Sequence, residues 1–174
     1  LLGVVAIAAG GYYRTAHDRN QRDSIKNYTM GWTPPVGWKE LPHGPQTLFL
    51  YRHPKSDLVI RGAVTNIVAD INPTPDLDSD GIARHLLEVT EENMPGWKGE
   101  MLDEVKGDGT TFRLVRRGKS DRTVVSAFSV RGNCTAVITI AGTGKDAPKV
   151  ERHMADFRAW LGDVRFKPLI YAKQ

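Results

Sequence analysis

Apolar and polar positions change their period several times along this chain. Residues 1–13 read LLGVVAIAAGGYY without a charge, and residues 14–27 are polar with no strong period. From Tyr28 onward, short apolar runs alternate with turn-forming residues. Runs at 46–53 and 58–69, separated by Pro54-Lys-Ser-Asp57, predict a β-hairpin, because proline, serine and aspartate favour a tight reversal. A polar, proline-rich loop at 70–80 follows. Ile82, Leu86 and Val89 then recur at helical spacing, predicting a helix over 81–94 that Asp80 can cap and Pro95-Gly96 stops.

Three further runs, 100–106, 110–117 and 123–130, are joined by Gly107-Asp-Gly109 and Gly118-Lys-Ser-Asp121. Residues 136–141 continue the series after Gly132-Asn133, so four strands in succession predict an antiparallel meander. Val150, Met154, Phe157 and Leu161 share one face of a helix predicted over 147–162, which should lie on the sheet, and Val164-Arg-Phe166 closes the pattern as a short strand. Ahead of all these, Trp32-Thr-Pro-Pro-Val-Gly-Trp38 predicts an extended, tightly turned entry segment with its indoles used as packing plugs. The fold class expected is α+β, an antiparallel sheet flanked by helices.

Composition fits one packed domain. The chain has 174 residues, 40% hydrophobic and 25% charged, with 17 glycines and 10 prolines, which is ordinary for a globular protein. A net charge of +4, spread along the sequence, does not suggest nucleic acid as a partner. Cys134 is the single cysteine, so no internal disulfide or multi-cysteine metal site can form.

The uncharged stretch at 1–13 ends in Tyr12 and Tyr13 and is followed by Arg14, the profile of a membrane segment leaving the bilayer through an aromatic interface. Thirteen residues are fewer than the roughly 20 that cross a hydrocarbon core. The expectation is therefore the C-terminal part of a single transmembrane anchor, with 14–27 as a connector, 28–167 as the domain and 168–174 as a tail. A signal-peptide core and a buried apolar helix are the alternatives. Arg14, Arg19, Arg22 and Lys26 follow the stretch, and by the positive-inside rule they argue for a cytoplasmic domain.

The element order, together with Pro35-Val-Gly-Trp38, the strand 136–143, and Phe157-Arg-Ala-Trp-Leu161 running into Val164-Arg-Phe166, resembles the PsbP-like α/β/α sandwich. This is the family of the extrinsic photosystem II subunit, whose wider fold group includes mycobacterial lipoproteins. The resemblance spans roughly 28–167 and rests on element order more than on a strict signature. It implies a non-enzymatic accessory role, a domain on the periplasmic side of a membrane, and integral membrane subunits as partners. A photosynthetic or respiratory electron-transfer complex is the kind of assembly it suggests. It implies no cofactor.

Few motifs carry chemistry. Asp76-Leu-Asp78-Ser-Asp80-Gly81 copies the first half of a calcium loop, but position nine is Arg84 and position twelve is Leu87, so a solvated capping loop is the better reading and Asp76, Asp78 and Asp80 are weak metal candidates. Gly142-Thr-Gly144-Lys145 has the setting of a phosphate loop but lacks its first glycine and its Ser/Thr. The histidines at 17, 43, 53, 85 and 153 show no paired helical spacing. Arg113, Arg116, Arg117, Lys119 and Arg122 crowd one hairpin with only Asp121 among them, a candidate surface for an acidic partner or lipid headgroups, or else charge that discourages edge pairing. The function expected is an anchored, non-catalytic accessory subunit. A membrane-anchored ligand-binding or sensor module is the alternative, and a polar-rimmed pocket between sheet and helix would mark it.

Overall fold

The computed structural model describes residues 30–44, 47–66, 78–131 and 134–166. The stretch 1–13 with Tyr12, Tyr13 and Arg14, the connector 14–27, Asp76 and the tail 168–174 lie outside the described residues. Among the described residues no helix is long and apolar enough to cross a membrane.

Seven strands form one antiparallel sheet: β2 (Lys39–Glu40), β3 (Phe49–Arg52), β4 (Val59–Asn66), β5 (Lys98–Gly107), β6 (Thr110–Lys119), β7 (Arg122–Arg131) and β8 (Cys134–Thr143). Their spatial order is β2-β3-β4-β8-β7-β6-β5, so the hairpin and the meander expected from the sequence are both present. They are joined by pairing of β4 with β8, from Val59↔Ala141 to Asn66↔Cys134. The short strands β1 (Met30–Gly31) and β9 (Arg165–Phe166) pair antiparallel and bring the two ends of the domain together.

Alternation along the strands sends one set of side chains to each face. One face carries the main core, with Phe49, Tyr51, Ile60, Phe112, Leu114, Ile138 and Ile140 packed under Val150, Phe157 and Leu161 of the C-terminal helices. The other face holds a smaller cluster in which Ile82 and Ala83 of α1 (Ser79–Asn93) meet Val115 and Phe128. The layers are therefore helix, sheet, helix. A bulge in β5 sets Asp103 and Glu104 opposite Arg113, which leaves both Leu102 and Val105 packed against the main core. Gly62 lies against the Phe49 ring so closely that a Cβ there would stand 2.2 Å from it.

Two expectations need correction. Asp78, not Asp80, caps α1: its Oδ1 accepts the Gly81 N–H at 2.7 Å, because the helix starts earlier, at Ser79. The helix predicted over 147–162 is two pieces, α2 (Lys149–Arg152) and α3 (Met154–Gly162), preceded by a 3₁₀ turn (Gly144–Asp146). Residue 153 separates the two pieces at φ −99°, ψ 3°, outside the helical region.

Candidate binding site

The basic hairpin does not form one cationic face. Residues 113, 117, 119 and 122 point with Val115 toward the α1 side, and Arg116 points with Leu114 toward the C-terminal helices, as the register of β6 and β7 requires. Carboxylates distant in sequence meet two of these cations, and the neighbouring Asp121 meets a third. Arg113 makes a bidentate pair with Asp80, its Nη2 lying 3.1 Å from Oδ2, and has Glu104 at 3.7 Å. Arg116 bridges Glu100 and Glu151, and the hydrogen bond to Glu151 is the main reason its pKa is raised. Lys119 pairs with Asp121 at 3.7 Å. Burial lowers the pKa of Arg117, whose Nε has no hydrogen-bond partner among the described residues. Arg122 is exposed, with no carboxylate in ion-pair range among the described residues.

Asp78 and Asp80 do not converge on a cation site, since one caps a helix and the other holds Arg113. Among the described residues no group of three His, Cys, Asp or Glu side chains is placed to hold a metal.

The entry segment builds a different site. Trp32 is the expected plug: its ring centroid is 4.7 Å from that of Phe49, and its Nε1–H donates to the Tyr51 hydroxyl at 3.0 Å. Trp160 of α3 donates to the Thr33 carbonyl at 2.7 Å, which ties the segment to the C-terminal helix. The chain then reverses through Pro35-Val-Gly-Trp38, with Trp38 N–H bonded to the Pro35 carbonyl at 3.1 Å and Gly37 at φ +78°, the left-handed conformation such a turn requires. Val36 is carried to the tip, 99% exposed. Beneath this turn lies a concavity of about 420 Å³ walled by Pro35, Trp38, Ile60, Ile140, Phe157 and Trp160, with His153, Asp156 and Asp163 at its polar margin.

A second cleft, of about 630 Å³, opens beside the first. Lys39, Arg52, His53, Lys55, Lys145 and Lys149 line it together with Asp57 and Asp146. Three chain segments meet there: β2, the β3–β4 turn, and the 3₁₀ turn leading into α2. Asp146, 1% exposed, holds them together. Its Oδ2 accepts the Asp57 N–H at 2.8 Å, and its Oδ1 pairs with Lys149 Nζ. The bond from Lys149, then the Asp57 N–H, hold its pKa below the ordinary 3.8 despite burial. The stretch with a phosphate-loop setting thus ends as the end of β8 followed by a turn, with Lys145 exposed on the cleft wall.

Two histidines mark the boundary between the concavities. The His53 and His153 ring centroids are 4.9 Å apart, and Trp38 stands edge-on to both, at 5.3 and 6.1 Å. The His53 Nδ1 accepts the Lys55 N–H at 3.3 Å and lies 2.9 Å from Ser56 Oγ, which fixes the β3–β4 turn. The His53 pKa is lowered by burial first, then by the positive charge of His153, Lys149 and Lys55, with Asp146 opposing. Sequence reasoning missed this pair because residues 53 and 153 sit on a strand end and a helix break that only the tertiary fold brings together.

No family model and no curated protein matches the sequence. Solved structures do. The chain is similar to the cyanobacterial PsbP of Synechocystis at 11% identity and a TM-score of 0.50, over 81% of this chain and 93% of that one. It is also similar to LpqN of Mycobacterium tuberculosis, described as involved in cell envelope biogenesis, at 14% identity and a TM-score of 0.56, over 81% of this chain and 84% of that one. Identities this low speak to the fold alone, and on that ground the chain has the PsbP-like fold.

Proposed function

We propose that this chain is a non-catalytic binding domain tethered at a membrane, on its periplasmic side, and that it serves as an accessory subunit of a membrane protein complex. The observation that carries the reading is the Val36 turn: a side chain 99% exposed, on a hydrogen-bonded reversal, at the lip of an aromatic concavity. An apolar tip beside an apolar recess is the kind of surface that another protein covers. The polar connector at 14–27 has fourteen residues and, even fully extended, reaches at most about 50 Å, so the tip would work close to an anchor at 1–13. The likeness to LpqN, a protein of cell envelope biogenesis, supports an envelope setting. A photosynthetic or respiratory electron-transfer complex remains the assembly suggested by the PsbP-like fold.

The test is co-migration. Native membranes solubilised in mild detergent should release this chain in a large complex with integral subunits, identified by mass spectrometry. Val36→Asp should move it to a small free species without changing its circular dichroism, since the side chain is on the surface. A wild-type chain that migrates free defeats the proposal. A ligand-binding role is the second reading, favoured by a concavity of about 420 Å³, within the size range of small-molecule sites.

A further inference from the structure

The charges in the cleft beside the aromatic concavity do not balance. Five cations, Lys39, Arg52, Lys55, Lys145 and Lys149, face two carboxylates, Asp57 and Asp146. Asp57 pairs with Arg52, and Asp146 is engaged by Lys149 and the Asp57 N–H. Lys39, Lys55 and Lys145 have no carboxylate in ion-pair range among the described residues. Three uncompensated cations on one concave wall attract an anion, and a multiply charged headgroup answers them better than a single carboxylate.

The neighbouring concavity has the opposite character. Trp38, Phe157, Trp160, Ile60 and Ile140 wall it, and Asp156 and Asp163 stand at its margin. These carboxylates repel an anion from that end. A ligand with one charged and one apolar end therefore has a single favourable orientation, with the charge toward the lysines. The rings of Trp38, His53 and His153, with centroids 4.9 to 6.1 Å apart, stand between the two spaces, and such a ligand would lie across them.

We infer that the cleft and the aromatic concavity together bind an amphipathic phosphate, with its headgroup among Lys39, Lys55 and Lys145 and its apolar portion against Trp38, Phe157 and Trp160. The inference rests on the reading of this face as the binding face and adds the chemical class of its ligand.

The test uses the full chain in phosphatidylcholine nanodiscs, titrated calorimetrically with monomeric dihexanoyl phosphatidic acid, inorganic phosphate and hexanoate, against empty discs. Burial of only two methylenes corresponds to more than about a tenfold gain, so the short-chain lipid is expected to bind at least that much more tightly than inorganic phosphate. Lys55→Glu with Lys145→Glu should weaken both phosphates about tenfold or more. Ala159→Phe, which places a ring in the concavity from an exposed helical position, should erase the difference between them and leave inorganic phosphate unchanged. Equal affinity for the two phosphates, tighter binding of hexanoate, or indifference to the lysine changes would each overturn the inference. Long-chain phosphatidic acid built into the disc distinguishes the sources: competition with the monomer assigns a bilayer lipid, and lack of competition assigns a free amphiphile. A wild-type chain that co-migrates with membrane subunits but binds neither phosphate would overturn this inference alone.

Discussion

Two groups of basic residues in this domain meet carboxylates to different extents. Those of the β6–β7 hairpin are neighbours in sequence, and Asp80, Glu100, Glu104, Glu151 and Asp121 meet three of the five. Those of the cleft come from residues 39, 52–55 and 145–149, and three of their five have no carboxylate in range among the described residues. Crowding along the chain is thus a poor guide to free charge. A cation on a long strand has the whole sheet and a helix from which to recruit a partner. A cation at a turn rim faces mainly solvent.

The change expected to disturb the cleft most is Gly142→Ala. A Cβ there would stand 2.5 Å from the Asp146 carbonyl oxygen and 2.8 Å from a Leu58 methyl, so the 3₁₀ turn must move off the sheet. Overpacking of this kind costs about 1–3 kcal/mol. The urea midpoint should fall accordingly, and chemical shifts of Lys145, Asp146, Lys149 and of Thr123, which pairs with Gly142, should change while those of Arg113 and Phe128 at the far end of the β6–β7 hairpin hold. An unchanged midpoint would mean that the cleft is less tightly framed than the packing of Leu58 and Asp146 implies.

The hairpin side is tested by a double-mutant cycle on Asp80 and Arg113. The Arg113 side chain is only 22% exposed and forms a bidentate contact, so a coupling of about 1 kcal/mol is expected, at the upper end for partly exposed pairs and weakening with salt. Zero coupling would return Arg113 to the pool of free charge and remove the contrast between the two groups.

Much of the fold was legible because it rests on local rules. Alternation in β6 and β7, the Pro54–Asp57 reversal and the helical spacing of Ile82 and Leu86 each placed an element correctly. The pairing of β4 with β8 was not legible, because no local signal says which edge of a meander closes on which hairpin. Nor was the break at residue 153, where the His153 ring packs on Trp38 and His53 and tertiary contact outweighs the apolar spacing of 150, 154, 157 and 161. The entry segment was read as packing, and Trp32 is packed. Trp38 packs against the main core as well and in addition walls a pocket, a second role set by the turn and not by residue type.

His53 reports the potential of the cleft. Its folded-state pKa is depressed below 6.5, by burial and then by nearby positive charge. Above 6.5 both states are neutral and the group is silent. As pH falls, the unfolded chain takes up the proton first, so stability declines from about pH 6.5 down through the folded value. His53→Gln should flatten that limb in urea titrations at pH 7.5 and 5.5. A further loss below pH 3.8, where Asp146 protonates only after its unfolded counterpart, should remain in that variant. If the limb above pH 5 persists without His53, another group carries it.

The smallest stability effect belongs to the free lysines, and its smallness is the point. Lys55 and Lys145 are exposed and without carboxylates in range among the described residues, so Lys55→Ala and Lys145→Ala should each leave stability within about 0.5 kcal/mol of wild type. Neither change strands a partner, whereas Arg113→Ala abandons Asp80 beside Glu104. The lysines should nonetheless be visible in titrations. Lys55 is among the charges that lower the His53 pKa, and Lys145 is among those that lower the Asp146 pKa, so the two alanine variants should raise His53 and Asp146 respectively in NMR titrations. A cation that shifts its neighbours' protonation slightly and adds little to folding is one whose charge faces outward, available to a ligand. Lysines that proved stabilising would instead place both basic groups in the same structural role.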